Sequence, residues 1–194
     1  MNDPFLTFTD GAWEAGAAGA GAVVYDPGIG RTFSFEIEVP KKLLDLWVAE
    51  TGEQIISQIE MFALLCVRFK YANRLHNRVG ISWIDNESAK YACIKGTSLS
   101  HSMLVMCRVL QQIEAEKPSS VWCERVSSHS NPGDMPSRSQ NERASKLFSA
   151  QAESTWVPPS ELVDAIMMLH EKPYGVVHTL FKGEQTSATN TKQG

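Results

Sequence analysis

Four acidic residues stand where a carboxylate is unusual or where a ligand could reach it. Asp10 follows the first apolar segment, Asp85 ends the most apolar one, and Asp134 precedes a predicted helix. Glu60 shares a helical face with apolar residues three, four and seven positions away. A buried carboxylate is costly unless it is protonated or neutralised by a cation. Several such oxygens together would suit magnesium or manganese rather than zinc.

Each acid also has a plain structural interpretation. Asp10 could be a turn residue, and Asp85 with Asn86 could cap a helix. Asp134 could be a surface loop acid, and Glu60 could lie at the solvent edge of its apolar face. It is the joint placement of the four acids that favours a metal site.

The strands that must position these acids are indicated by apolar runs and alternation. Residues 5–9, 23–25 and 31–39 are predicted strands, and in 31–39 apolar and polar residues alternate, as in a strand with one buried face. Three strands in close succession predict an antiparallel meander. Residues 79–84 are almost unbroken apolar sequence and predict a central strand buried on both faces, and residues 121–126 predict a fifth strand.

Helices are predicted between and after these strands. Their boundaries are indicated by Gly96 as a C-cap, Ser100 as an N-cap, Pro118 as a stop, and Ser139 with Glu142 as a capping box. The predicted helices cover residues 41–50, 53–75, 88–94, 100–117, 139–150 and 160–171. The order of elements predicts an α/β fold with a five-stranded mixed sheet, in which an antiparallel meander is joined by parallel strands and flanked by helices.

Length and composition predict a soluble globular protein. The 194 residues, 43% hydrophobic and 21% charged, suit one domain, or one domain with an appendage. We expect a main domain over residues 1–150, a C-terminal extension with one helix over 151–182, and a disordered polar tail over 183–194. No apolar run reaches the length of a bilayer, and the first residues lack the features of a signal peptide. We therefore expect an intracellular protein, cytoplasmic or nuclear, without membrane contact.

Two other patterns argue against common kinds of site. The cysteines lie far apart in apolar segments and form no C-x-x-C pair, so we expect reduced thiols and no zinc: Cys66, Cys93, Cys107 and Cys123. The glycine-rich residues 16–21 suggest a nucleotide-binding loop, but a strand follows where a helix should begin. We interpret this segment as a flexible hairpin connection.

Four short motifs resemble, in order, the acidic motifs of ribonuclease H. They are Phe8-Thr9-Asp10-Gly11, Ile59-Glu60-Met61-Phe62-Ala63, Trp83-Ile84-Asp85-Asn86-Glu87-Ser88-Ala89 and Asn131-Pro132-Gly133-Asp134. The stretch from Asp85 through 95–98 to 131–138 is especially similar to the ribonuclease H domains of retroelement reverse transcriptases, nearest to the tyrosine-recombinase (DIRS-like) class. The resemblance covers residues 4–150 and implies a ribonuclease H-like fold there.

The resemblance implies an endoribonuclease that hydrolyses the RNA strand of an RNA–DNA hybrid. The implied ligands of two Mg²⁺ ions, with Mn²⁺ as a substitute, are Asp10, Glu60, Asp85 and Asp134. One ion would activate a water and the other would stabilise the leaving 3′-oxygen, giving RNA with a 5′-phosphate. His129 matches the spacing of the family's mobile histidine, but only four residues separate it from Asp134, so its loop is shorter. A solvated loop histidine is the equal alternative.

Substrate contacts are predicted close to the acids. Gly11, which has no side chain, would let a phosphate or metal approach the backbone. Asn86 would hydrogen-bond a ribose or base edge, and Lys90 and Lys95 would contact phosphates. A second basic group is also a candidate for phosphate contact, although such runs are usually solvated faces: Arg68, Lys70, Arg74, His76 and Arg78. The sequence has no basic, tryptophan-containing insertion like the handle of some ribonucleases H.

The net charge of −4 argues against a strong non-specific polyanion binder, although four metal-bound carboxylates would leave the rest of the chain close to neutral. The resemblance implies an RNA–DNA hybrid as partner, and an adjoining reverse transcriptase domain in a retroelement polyprotein. Two other hypotheses are a non-catalytic scaffold module of the same fold and a DNA-cutting nuclease or transposase. The presence of all four acids argues against the first, and the Asp85-Asn86 and Asn131–Asp134 motifs argue against the second.

Overall fold

One mixed sheet organises the protein. The computed structural model describes residues 3–173, 175–177 and 179–181. Its strands are β1 (Phe5–Glu14), β2 (Ala17–Asp26), β3 (Arg31–Ile37), β4 (Val79–Ile84), β5 (Ser120–Arg125) and β6 (Gln151–Ala152). They are hydrogen-bonded in the order β5-β4-β1-β2-β3-β6. The first three form an antiparallel meander, while β4 runs parallel to β1 and β5, and β6 runs parallel to β3.

Helices cover both faces of this sheet. They are α1 (Lys41–Thr51), α2 (Ile56–Lys70), α3 (Ala72–Leu75), α4 (Glu87–Lys95), α5 (His101–Glu116), α6 (Asp134–Ser137), α7 (Asn141–Leu147) and α8 (Ser160–Glu171). On one face α2 packs against β1 and β2, α5 packs on α2, and α8 packs on α5. The short α6 contacts β1 and β2, and α7 contacts β3. In the described part of the chain no helix combines the length and the apolar character needed to cross a bilayer.

The predicted α/β class and mixed sheet are confirmed, with six strands instead of five. The sixth, Gln151–Ala152, has only two residues, too short for an alternating pattern to indicate it. The predicted hairpin connection over residues 16–21 is wrong, because β2 begins at Ala17 and uses most of that segment as strand. The turn itself is made by Ala15 and Gly16, which have φ of +50° and +79°.

Three predictions about helices are also corrected. The single predicted helix over 53–75 is divided into α2 and α3. Ile56, the apolar residue four positions before Glu60 on the predicted buried face, is 37% exposed because it begins α2, whose buried residues start only at Gln58. The capping box at Ser139 does not form: α7 begins at Asn141, and Ser139 has a φ of +56°, outside the extended conformation of an N-cap. The predicted caps Gly96 and Ser100 are confirmed.

The segment after residue 150 lies against the rest of the protein. The Trp156 N–H donates to the Glu36 carbonyl at 2.8 Å, and the Glu38 N–H donates to the Trp156 carbonyl at 3.0 Å. The predicted helix over 160–171 is confirmed as α8. The division at residue 150 stays a prediction, and the predicted tail, 183–194, lies outside the described residues.

Candidate metal centre

Three of the four predicted acids come together beside the sheet. Asp10 lies in β1, Glu60 in α2, and Asp85 directly follows β4. One carboxylate oxygen from each lies within 4.8 Å of the others. Asp10 and Glu60 are only 4% and 5% exposed, and Asp85 is half-buried. At this spacing the three carboxylates can share one or more divalent cations.

Gly11 is what allows α2 to bring Glu60 beside Asp10. A methyl group at Gly11 would lie 2.8 Å from Ile59 Cγ2 and 2.9 Å from Glu60 Cγ. The space left by the missing side chain is therefore filled by α2. This corrects the prediction that Gly11 leaves its backbone open to a phosphate or metal on that side.

We expect Gly11→Ala to push α2 away from β1. The variant should lose about 1–3 kcal/mol of unfolding free energy, the usual cost of overpacking, and should bind Mn²⁺ more weakly because Glu60 moves. Urea unfolding and the electron paramagnetic resonance signal of free Mn²⁺ measure the two effects. Gly28→Ala is the control, because it adds the same methyl group in the turn after β2, away from the acids. That methyl would lie 3.2 Å from Asp26 Oδ1, and Mn²⁺ affinity should not change. Unchanged Mn²⁺ affinity in Gly11→Ala would contradict this role.

The environment of the acids opposes negative charge. Burial raises the pKa of Glu60 to about 9, and the neighbouring Asp85 and Asp10 add to the effect. Burial also raises the pKa of Asp10 to about 7; a hydrogen bond from Ser137 opposes the rise, while Asp85 and Asp134 increase it. A divalent cation would favour the charged form of every acid and reverse this balance.

Two oxygens of the cluster have no hydrogen-bond partner among the described residues: Glu60 Oε2 and Asp85 Oδ1, both buried. A buried acceptor without a partner costs free energy, and such atoms are rare in folded proteins. A bound cation would satisfy both oxygens. The cluster consists of carboxylates alone, the donor set that magnesium or manganese prefers over zinc, so the residues fit such an ion.

The fourth acid, Asp134, is held near the cluster by its own loop. The Asn131 Nδ2 donates to the Thr9 carbonyl at 2.9 Å, and the Gly133 N–H donates to Asn131 Oδ1 at 3.1 Å. A methyl at Gly133 would lie 3.0 Å from the Asp10 backbone nitrogen, so only glycine lets the loop come this near. The loop thus anchors Asp134, the first residue of α6, next to β1.

Asp134 nevertheless lies outside the three-acid cluster. Its side chain is 43% exposed, and its Oδ1 accepts a hydrogen bond from Arg138 Nε at 2.8 Å. Its charge is close enough to raise the pKa of Asp10. Its role as a fourth ligand therefore stays a prediction.

Ser137, Gly19 and Gly21 together seat α6 on the sheet, a contact that the sequence did not predict. Ser137 Oγ lies 2.5 Å from Asp10 Oδ2. A methyl at Gly19 would lie 1.9 Å from the Ser137 carbonyl oxygen, and one at Gly21 would lie 2.3 Å from its nitrogen. Glycines two residues apart in a strand lie on one face, so their spacing could have indicated a close approach of backbone there.

Asn86 joins the acids to α4. Its Oδ1 accepts from the Ala89 N–H at 2.9 Å, which makes it the N-cap, and its Nδ2 donates to Ser57 Oγ at 3.2 Å. It also bonds Glu60, which lowers the pKa of that acid against the larger effect of burial. The helix-cap interpretation is therefore confirmed for Asn86, and substrate contact by Asn86 stays a prediction.

The other predicted substrate residues lie at or near the surface. Lys90 is half-buried, with its Nζ 3.8 Å from a Glu87 carboxylate oxygen. Lys95 is exposed, with its Nζ 5.3 Å from the centre of the Tyr91 ring. His129 is exposed in a 3-10 turn over Ser128–Ser130. None of these positions tests the predicted roles.

In the second basic group, Arg68 does not face the solvent. Arg68 is 4% exposed, pairs with Glu114 and donates to Ser119 Oγ at 2.8 Å. It is buried because α5 packs over this side of α2. Its guanidinium therefore serves an internal ion pair, which corrects the prediction.

The remaining members of that group form ion pairs with acids of the same chain or lie near the start of β4, away from the three-acid cluster. Lys70 lies 3.0 Å from Glu153, and Arg74 and Arg78 lie 3.3 and 3.0 Å from Asp26. Arg78 immediately precedes β4, whose other end leads to Asp85. His76 is exposed near Arg78. This region is therefore at the end of β4 opposite the acids.

Solved structures provide the comparison, because no family profile and no curated protein match the sequence. The N-terminal RNase H domain of a Mycobacterium tuberculosis protein, solved as a fusion with maltose-binding protein, is 16% identical, with a TM-score of 0.51 over 75% of this chain and 98% of that one. RNase H1 from the archaeon Halobacterium salinarum is 13% identical, with a TM-score of 0.51 over 73% and 99%. The protein has a ribonuclease H-like fold.

A third structure with the ribonuclease H-like fold, LC11-RNase H1 from compost, is 18% identical, with a TM-score of 0.51 over 74% of this chain and 99% of that one. At such identities the likeness concerns the ribonuclease H-like fold alone. Function has to be argued from the acids that the fold brings together.

Proposed function

We propose that the protein is a metal-dependent endoribonuclease that hydrolyses the RNA strand of RNA–DNA hybrids. The observation that carries the proposal is the convergence of Asp10, Glu60 and Asp85, with unpartnered buried oxygens on two of them. The ribonuclease H-like fold and the sequence motifs support the same reaction. We propose two Mg²⁺ ions as cofactor, with Mn²⁺ as a substitute.

The acids, Ser137 and His129 have different roles in the proposed reaction. Two divalent ions bound there would supply an activated water and stabilise charge on the leaving 3′-oxygen. Asp10, Glu60 and Asp85 would hold the ions beside the scissile phosphate. Ser137 fixes Asp10 Oδ2 and leaves the other oxygen free to turn toward the cations. Asp134, at the rim, is proposed as the fourth ligand, and His129 as a group for proton transfer or product release.

Substrate recognition is assigned to the helix that follows Asp85. Because α4 begins two residues after this acid, its side chains would lie beside a duplex bound at the acids. Lys90 and Lys95 would contact phosphates, and Asn86 would contact a ribose, where a 2′-hydroxyl separates RNA from DNA. Phosphate contacts of this kind add salt-dependent affinity without sequence preference.

The motif resemblance further supports a retroelement origin. We propose that residues 1–150 are the ribonuclease H domain of a retroelement polyprotein, with residues 151–182 as its extension and an adjoining reverse transcriptase as partner. We further propose that it acts inside the cell, in cytoplasm or nucleus. In the extension, α8 contacts α5 rather than standing apart.

A substrate panel tests the proposed activity. Purified protein with Mg²⁺ should cut the RNA strand of a labelled hybrid, leave 5′-phosphate ends, and spare duplex DNA by at least about 100-fold, since a site that recognises a hydroxyl discriminates strongly against its absence. It should also spare duplex RNA, which lacks the DNA strand of a hybrid. Equal cutting of duplex DNA would favour a DNA nuclease or transposase. No cutting by folded, Mn²⁺-binding protein would favour a scaffold module.

A further inference from the structure

Two thiols touch where α4 packs on β5. The Sγ atoms of Cys93 and Cys123 are 2.7 Å apart. A disulfide has a bond of about 2.05 Å, so the two atoms need to approach by only about 0.7 Å more. The contact joins residues 30 apart in the chain and involves neither the acids nor the predicted substrate residues.

A small oxidant can reach this pair from one side. Cys93 is partly exposed and lines a surface groove of about 390 Å³ together with Lys95, Gly96 and Gln111. Cys123 lies behind Cys93 and is only 5% exposed. Solutes in the groove therefore contact Cys93, while Cys123 contacts Cys93 from the buried side.

The charges around the pair favour a thiolate at Cys93. The hydrogen bond from Cys123 is the largest effect that lowers the pKa of the Cys93 thiol, and the buried Arg68 guanidinium adds to it, while burial and Cys107 oppose it. The pKa of Cys123 is raised, first because its proton is shared with Cys93 and then by burial. Thiolates are the reactive form of cysteine, so Cys93 is the nucleophile of the two.

We propose that Cys93 and Cys123 form an oxidation site that closes to a reversible disulfide in the presence of a small disulfide such as oxidised glutathione. The Cys93 thiolate attacks one glutathione sulfur, forms a mixed disulfide and releases glutathione thiolate. Cys123 then loses its proton, attacks the Cys93 sulfur and releases the second glutathione. Two protein thiols are oxidised, one glutathione disulfide is reduced to two thiols, and both protein protons end on glutathione.

The disulfide would clamp α4 to β5. Because it closes a loop of about 30 residues, the unfolding midpoint should rise by roughly 5–10 °C. The oxidation site does not rest on the proposed nuclease activity, since the two thiols lie outside the acidic cluster.

Thiol counting and peptide mapping test the oxidation site. The full chain, kept folded in oxidised glutathione at pH 8, should fall from four free thiols to two, and dithiothreitol should restore four. After trypsin, the peptide of residues 91–95 should be linked to the one that contains Cys123. Cys123→Ser should instead hold glutathione on Cys93, and Cys107→Ser should still form the disulfide. Four thiols after oxidation, or a link from Cys93 to Cys107, would overturn the proposal.

Discussion

Glu60→Gln is expected to reduce cleavage of the RNA strand by about 10³-fold or more, because the site loses a charged ligand that stabilises the transition state. The same variant should be at least as stable as the metal-free wild-type protein at pH 7, because glutamine does not have to gain a proton on folding. Glu60 has a pKa of about 9, so at pH 7 without metal its carboxyl is already mostly neutral, and glutamine has nearly the same shape. The change therefore separates the role in metal binding from the role in folding.

Single-turnover cleavage of a hybrid, with unfolding measured in parallel, checks both halves of the Glu60 prediction. Glu53→Gln is the matched control, because Glu53 is exposed just before α2 and should behave as wild type. Retention of more than a tenth of the wild-type rate in Glu60→Gln would remove Glu60 from the site. A loss of fold would instead show that its side chain is structural.

Without divalent metal, the protein is expected to lose stability as the pH rises from 5 to 9. The folded pKa values of Asp10 and Glu60, about 7 and about 9, lie above the values of 3.8 and 4.5 that these groups have in an unfolded chain. Between its unfolded and its folded pKa, each acid keeps a proton in the folded state that it has lost in the unfolded state. The stabilisation is complete below the unfolded pKa and disappears as the pH passes the folded pKa, a loss of about 1.4 kcal/mol per pH unit for each acid that titrates.

Added Mg²⁺ is expected to reverse this loss. Binding releases protons from Asp10 and Glu60, so the apparent affinity should rise with pH between about 6 and 9. Urea unfolding at pH 5, 7 and 9, in a chelator and in Mg²⁺, measures the effect. Glu60→Gln should show a shallower loss with pH, because one of the two titrating groups is gone. Stability in the chelator that stays constant or increases from pH 5 to 9 would contradict the effect assigned to these buried acids.

Local patterns were enough to find most of the acids. Glu60 is apparent from helical periodicity, because a carboxylate on an apolar face can be seen from spacing alone. Asp85 is apparent from the end of an apolar strand, and the caps Gly96 and Ser100 act within one turn of helix. These features depend on residues close in sequence.

Features that depend on contacts between distant segments were missed. The sequence around Gly19 and Gly21 predicts a flexible connection, because no nearby residue indicates that Ser137 lies against them. The local sequence predicts Arg68 as a surface charge, because its partner Glu114 is on another helix. The contact of Cys93 with Cys123 likewise exists only once α4 lies on β5.

Anomalous diffraction from a crystal soaked in Mn²⁺ at pH 8 tests the central claim most directly. The metal site predicts at least one peak at about 2 Å from carboxylate oxygens of Asp10, Glu60 and Asp85, and no such peak in Glu60→Gln under the same soak. Mn²⁺ found only at exposed acids, with the three carboxylates unoccupied, would contradict the metal centre and the nuclease activity proposed from it.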